Sequence, residues 1–391
     1  MISVGEAKKL ISENIATLSP ILLNLREAAG HILAQDIYAH YDIPAFKQSS
    51  MDGYAIIFGD KNELNLVGEM AAGTQKKINL TAGKTSRIFT GAPLPDGADT
   101  VIMQEKTTRV GNIIRFESEN ITKGLNVRAI GSEIKSGELA MKNGDLLTPA
   151  AVGFLAGIGI NKVKVFPMPR IAIILTGNEL LQPGLMLCFG QVYESNSYTL
   201  SAALNKEQIF NIEILEAEDN LDTLTEILQK ALNSNDVVLL TGGVSVGDYD
   251  YVIEASKNCG IKQLFHKIKQ KPGKPLFFGK KGEKLIFGLP GNPSSVLSCF
   301  YNYVLPGLKR LSNKENNLVQ LEATLTHHYK KPKGLTHFLK GNYEDGKATP
   351  LGAQESYRLS SFAQANCLIV LDEIQDFFEV GETVSIILLP N

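Results

Sequence analysis

Apolar and polar positions repeat with different periods along the chain, and each change of period marks a change of architecture. Residues 3–14 follow a helical period, with Ser3 and Glu6 spaced as a capping box and Ile2 placed as a staple. Leu25, Ala28, Ala29, Ile32 and Leu33 share one helical face, which predicts a second helix over 23–34. From 60 to 140 the period drops toward two. Short runs such as 100–104 and 113–116 alternate there with Gly, Pro and Asn turns, the pattern of a β-rich region. A helix or helix-turn rich in small residues is expected over 146–159, and Pro167 and Pro169 then punctuate a linker.

Beyond Arg170, short apolar runs alternate with amphipathic segments. Strands are expected at 170–175, 209–216, 237–240 and 285–288, and helices at 197–206, around 221–231, around 251–258 and at 294–310. Asp219 or Asn220 is placed to cap the helix lined by Leu221, Leu224, Ile227, Leu228 and Ala231. Pro293 suits the first turn of the last helix. Such alternation implies a mostly parallel sheet with helices on both faces. After about residue 315 the pattern reverts to strands, at 318–326, 337–339, 367–371 and 383–389, which predicts a small all-β domain. His327 and His328 lack metal-ligand spacing and read as surface residues.

Composition narrows the function. The 391 residues are enough for two to four domains, and 44% hydrophobic content supports large cores. A net charge of -2 leaves no global basic field for nucleic acid or an anionic membrane, so any anion site must be local. Cys188, Cys259, Cys299 and Cys367 are scattered without CxxC spacing and read as reduced thiols. There is no signal-peptide apolar region and no apolar run approaching the ~18 residues of a membrane span, so a soluble, cytoplasmic protein is expected.

Three of the expected parallel strands end in Gly-containing loops: TGNEL at 176–180, TGGVSVGDYDY at 241–251 and GLPGNPSS at 288–295. Open parallel sheets bind ligands outside the carboxyl ends of their strands, so all three loops can share one edge. Gly242 and Gly243 allow close backbone approach, and free N–H groups there suit an oxyanion. Ser245, Asp248 and Asp250 follow in the same loop, and Glu179 and Asp219 add carboxylates. Lys267, Lys269, Lys271 and Lys274 lie within eight residues, in a segment stiffened by Pro272 and Pro275. Lysines, Gly-rich turns and carboxylates together favour a phosphorylated ligand with a divalent cation, and Mg2+ suits all-oxygen ligation. No GxxxxGK[ST], GxGxxG-acid or GxSxG motif is present.

SMDGYA, TGAPLP, TGNEL, TGGVSVGDYDY, KPGKP and GLPGNP, in this order and spacing, resemble the molybdopterin molybdenumtransferase (MoeA / gephyrin E-domain) family along nearly the whole chain. The resemblance implies a multidomain α/β plus β protein. Its parts are an elongated helical domain from 1–46 and 141–168, a β-rich inserted domain at 47–140, a parallel α/β molybdopterin-binding domain at 169–314 and a C-terminal β-barrel at 315–391. It implies a homodimer that takes adenylylated molybdopterin and molybdate, requires Mg2+, and releases AMP. The upstream molybdopterin adenylyltransferase is a candidate partner. Catalytic positions carried over are Asp52, Thr90, Glu133, Glu179 and Asp250, with Asp219 and Asp250 assigned to the metal. Substrate-binding positions are Gly242, Gly243, Ser245, Lys267, Lys271, Lys274, Pro290, Pro293, Lys340 and Ser356. Glu133 stands where Asp is common, Asn178 where Asp often precedes Glu179, and Lys340 where Arg is expected.

Two other readings compete. The paralogous molybdopterin adenylyltransferase shares the α/β domain, but its GGTG-type loop is absent, since Val244 and Ser245 follow Gly243. A non-enzymatic scaffold is the second, and molybdate-dependent AMP release separates it from the insertase.

Overall fold

The computed structural model describes residues 1–117, 119–244, 251–316 and 318–390. The chain divides into two compact units. One comprises Met1–Ile21, Gly30–Ile32 and Phe166–Asn391; the other comprises Leu22–Ala29 and Leu33–Val165.

In the second unit, six strands form a sheet in the order Thr100–Met103, Gly53–Ile56, Lys84–Ile88, Glu63–Met70, Ile113–Phe116 and Thr107–Val110. The expected β-rich stretch thus supplies most of this sheet, while its later strands Val127–Arg128 and Leu139–Met141 pair in separate two-stranded sheets. Helix Pro149–Gly157, capped by Thr148, packs Leu155 against Leu25, Ala28, Leu33, Val163 and Val165. The helix predicted over 23–34 does not form. Ile21–Asn24 and Ile32–Leu33 are strands flanking Lys162–Phe166, and Leu25–Glu27 is a single 3-10 turn. Leu25, Ala28 and Leu33 are buried as the helical spacing suggested, but they meet one core from a turn and a strand. Gly30, at φ +81°, breaks any helix between them.

The first unit is built on a six-stranded sheet. Its strands are β1 (Ile171–Thr176), β2 (Ile212–Ala217), β3 (Val237–Thr241), β4 (Lys262–His266), β5 (Phe277–Lys281) and β6 (Lys284–Leu289), in the order β2-β1-β3-β6-β5-β4. The first four in that order are parallel. β5 runs antiparallel to β6, and β4 antiparallel to β5. Two reversals return β4 to the direction of β6, so β4 also ends at the edge where the parallel strands end. Alternate residues serve two cores: Ile171, Ile173, Val237 and Leu239 face one, and Ala172, Ile174, Val238 and Leu240 the other. Burial of both faces explains why these strands read as continuous apolar runs.

Helix α1 (Val4–Asn14) has the predicted capping box, with Glu6 N–H on Ser3 Oγ at 3.2 Å and Ser3 N–H on the Glu6 carboxylate at 2.7 Å. Its Ala7 and Ile11, four residues apart on one face, and Ile15 just beyond its end join the core of the α/β sheet. At the C-terminus, β7 (Gln320–Leu325), β8 (Thr336–Glu344), β9 (Lys347–Pro350), β10 (Cys367–Leu371) and β11 (Thr383–Leu388) close a five-stranded barrel, because β8 pairs with both β9 and β10. His327 and His328 are exposed, as expected. No helix among the described residues is long and apolar enough to cross a membrane.

Candidate functional site

In the second unit a steric constraint sets the position of Asp52. Gly53 lies so close to the neighbouring strand that a Cβ would stand 1.9 Å from the Ile102 carbonyl oxygen. Only glycine fits there, and Asp52 is thereby presented at the strand's entry. One oxygen of Asp52 accepts from the Thr90 N–H and the Thr90 hydroxyl, each at 2.8 Å. These two bonds, aided by Arg87, hold the Asp52 carboxyl below its usual range against the opposing effect of partial desolvation. Arg87 lies over the rings of Tyr54 and Phe89, 5.2 and 4.9 Å from their centroids, and donates to the Gly53 carbonyl at 3.0 Å. Tyr54 and the Gly53 carbonyl are tertiary partners, so the sequence held no sign of them. The structure brings Asp52 and Thr90 into direct contact. Glu133 is exposed beyond the Val127–Arg128 strand, its N–H bound to the Ile43 carbonyl at 2.9 Å.

In the first unit, β1, β3 and β6 end level, with Leu175 opposite Thr241 and Thr241 opposite Leu289. Their loops are therefore neighbours, as the strand pattern predicted. Gly242, at φ +90°, would place a Cβ 2.7 Å from Thr176 Oγ1 and 2.8 Å from the Thr176 carbonyl. This turn therefore admits glycine for both conformational and steric reasons. Asn220, not Asp219, caps the helix Leu221–Ser234, accepting from Asp222 and Thr223. Asp219 is freed to accept from the Asn178 N–H at 3.3 Å, while Asn178 Oδ1 accepts from the Asp219 N–H at 3.3 Å. Glu179 follows directly in this loop. The structure thus brings Glu179 and Asp219 to the same strand edge. Ser245, Asp248 and Asp250 lie outside the described residues.

The third loop is tied to the barrel. Pro290 is buried, and Pro293 opens the helix Pro293–Cys299, as expected. Asn292 Nδ2 donates to Ser356 Oγ at 2.9 Å, and the Ser294 N–H to the Ser356 carbonyl at 3.1 Å. Asn196 Nδ2 donates to the Gly291 carbonyl at 2.9 Å from the far side. Asn196 and Asn292 were not singled out in the sequence, because their partners lie 95 and 64 residues away. The lysine segment leaves the same edge after β4. Lys267 sits at φ +72°, and Lys271 and Lys274 are exposed.

Lys340 stands differently from the other cations. It is 2% exposed, and its ammonium donates to the carbonyls of Ala353 at 2.7 Å, Arg358 at 3.1 Å and Glu355 at 3.3 Å. Three donors meet three acceptors, so its charge is spent on the loop that carries Ser356. These bonds tie the Lys340 ammonium to the loop at 353–358. Burial pushes the Lys340 amine down despite Glu355 nearby.

No group of three or more His, Cys, Asp or Glu side chains suited to a metal occurs among the described residues. Glu179 and Asp219 nonetheless offer the hard oxygens that Mg2+ takes in ones and twos, with water and phosphate filling the rest of its shell. Cys299 and Cys367 are buried and pushed up to about 12, which makes them inert thiols.

A parallel sheet edge with Gly-containing loops, a lysine segment and a barrel loop docked beside it define a multidomain α/β plus β protein. Three family models cover the chain: the MoeA N-terminal region (domain I and II) at residues 2–159, a probable molybdopterin binding domain at 172–310, and the MoeA C-terminal region (domain IV) at 322–389. A molybdopterin molybdenumtransferase of Haemophilus influenzae is 36% identical over 375 residues, covering 93% of this chain and 92% of that protein. Its counterpart in Staphylococcus epidermidis is 34% identical over 402 residues, covering 99% and 95%. A crystal structure of a molybdopterin biosynthesis MoeA protein from Pyrococcus horikoshii superposes with a TM-score of 0.75 at 32% identity, covering 100% of both chains. The chain belongs to the MoeA family of molybdopterin molybdenumtransferases and is a transferase of molybdenum cofactor biosynthesis.

Proposed function

We propose that this enzyme inserts molybdate into adenylylated molybdopterin and releases AMP, with Mg2+ required. The observation that carries this reading is the convergence, at one sheet edge, of Gly242, the Glu179–Asp219 carboxylates, the Ser356-braced PGNP loop and the lysine segment. Such an edge suits a pyrophosphate-bearing pterin: backbone N–H groups and lysines meet phosphate or molybdate oxygens, and carboxylates face the cation. Glu179, Asp219 and Asp250 would hold Mg2+, which when bound neutralises the oxygens where charge builds up as AMP leaves. Lys267, Lys271 and Lys274 bind and orient the anionic groups. Asp52, kept ionised by Thr90, orients or deprotonates a nucleophile.

We also propose that the enzyme works as a homodimer in the cytoplasm and receives its substrate from the adenylyltransferase that precedes it. The test is direct. Purified enzyme and adenylylated molybdopterin are mixed with Mg2+, and AMP is measured before and after molybdate is added. AMP that appears on molybdate addition supports the insertase. AMP that never appears would mean that this chain is a binding scaffold.

A further inference from the structure

The lysine segment is braced from beneath by a side chain that carries no charge. Gln270 is 0% exposed. Its Nε2 donates to the carbonyls of Gly273 at 3.0 Å and Pro272 at 3.1 Å, and lies 3.6 Å from Cys299 Sγ. Its Oε1 accepts from the Tyr303 hydroxyl. Tyr303 thereby sets which way the amide points, since the hydroxyl hydrogen needs the oxygen and the loop carbonyls need the nitrogen. Gly273, at φ +82°, rests directly on this assembly: a Cβ there would lie 2.4 Å from Cys299 Sγ and 2.9 Å from Gln270 Nε2.

Cys299 and Tyr303 belong to the continuous helical stretch that begins at Pro293. One buried network therefore fastens the lysine loop to the segment that follows the PGNP loop. On its other side the loop is closed by the Ile268 N–H on the Lys274 carbonyl at 2.9 Å, and Gln270–Lys271 pairs in parallel with Thr336 and His337 of the barrel. Four lysines in eight residues repel one another. A loop carrying them spreads unless its backbone is held, and holding it beforehand lowers the ordering cost of binding an anion.

We propose that Gln270, oriented by Tyr303, is a positioning residue that presets Lys271 and Lys274 for the phosphate or molybdate oxygens of the substrate. Gln270 acts through the loop carbonyls and touches no substrate. The proposal rests on the reading of the lysine loop as an anion site.

The test compares Gln270→Leu, Tyr303→Phe, Lys271→Ala and the double variant Gln270→Leu/Lys271→Ala in the full-length enzyme. Gln270→Leu keeps apolar volume but removes both donors. It should raise KM for adenylylated molybdopterin by about tenfold while kcat stays within about threefold, because the ground-state grip is what is lost. Lys271→Ala should raise KM in the wild-type background and add little in the Gln270→Leu background, the mark of two residues acting as one unit. Amide hydrogen exchange of peptides covering 267–276 should speed up in Gln270→Leu and, more mildly, in Tyr303→Phe. Tyr303→Phe leaves Gln270 in place and serves if the leucine variant fails to fold. Independent, multiplying effects of Gln270→Leu and Lys271→Ala, or unchanged exchange in both Gln270→Leu and Tyr303→Phe, would overturn the proposal alone. A Lys271→Ala enzyme with unchanged KM would overturn the anion-site reading and this proposal with it.

Discussion

Replacing Lys340 separates scaffolding from anion contact. In Lys340→Met the side chain keeps its length, but the carbonyls of Ala353, Glu355 and Arg358 lose the ammonium and keep only the Ser361 hydroxyl, at 2.7 Å from Ala353 and 3.5 Å from Arg358, and the Arg358 N–H, at 3.1 Å from Glu355. A hydrogen bond from a charged donor contributes about 1.5–3 kcal/mol, and relief of the ammonium's own desolvation offsets part of the sum. A net loss of about 3 kcal/mol follows, unless the loop swings out to reach water, in which case Ser356 leaves Asn292 and Ser294. Lys340→Arg keeps the charge but replaces a compact three-way donor with a planar fork that cannot converge on the same three carbonyls. Both variants should therefore loosen residues 351–361 in hydrogen exchange and lower thermal stability. In both, the loss of activity should follow the loosened loop. The alternative, direct contact with molybdate, predicts that arginine is tolerated and that methionine changes the molybdate dependence alone. Lys340→Arg with native exchange and native activity would refute the scaffolding account.

Four further outcomes are expected. His337 is 2% exposed, and burial with Lys271 and Lys331 nearby pushes it down to about 4; the unfolded chain then binds the extra proton between about pH 6.5 and 4, so stability is full above that window and falls by about 3 kcal/mol across it. A His337→Phe variant whose melting temperature declines as steeply as wild type over that window would contradict this. Thr90→Val removes one of the bonds that depress Asp52, so the acid limb of the kcat/KM profile should move to higher pH, and an unmoved limb would exclude Asp52 as the titrating group. Gly242→Ala must move Thr176 or the turn, so calorimetry should show weaker binding of the phosphorylated pterin; unchanged affinity would remove this turn from the site. Mixing Asp52→Asn and Asp219→Ala subunits under exchange should restore about a quarter of full activity if each site draws on two subunits, and none if it does not.

The parallel sheet was legible because each strand buries both faces and so reads as an uninterrupted apolar run, from Ile171 to Leu175 and from Val237 to Leu240. The level ends of β1, β3 and β6 then followed from chain order. The antiparallel strands β4 and β5 were missed: Lys262, Gln263, Lys280 and Lys281 dilute their apolar pattern, and their pairing joins segments across the lysine loop. Burial at 25–33 had the right spacing but the wrong geometry, because helical and turn-plus-strand paths can bury the same residues. The carbonyl partners of Lys340 were not legible, since sequence gives the sign of a side chain and not what surrounds it. Gln270 was invisible for the same reason: an uncharged residue among four lysines carries no signal until the Tyr303 hydroxyl and the loop carbonyls are seen around it.

The proposed reaction makes molybdenum insertion and AMP departure one coupled event. In a single turnover with excess enzyme, adenylylated molybdopterin, Mg2+ and molybdate, molybdenum bound to the pterin and AMP released should appear together, one for one. AMP formed at the same rate without molybdate, or molybdenum taken up while the adenylate remains intact, would contradict the account.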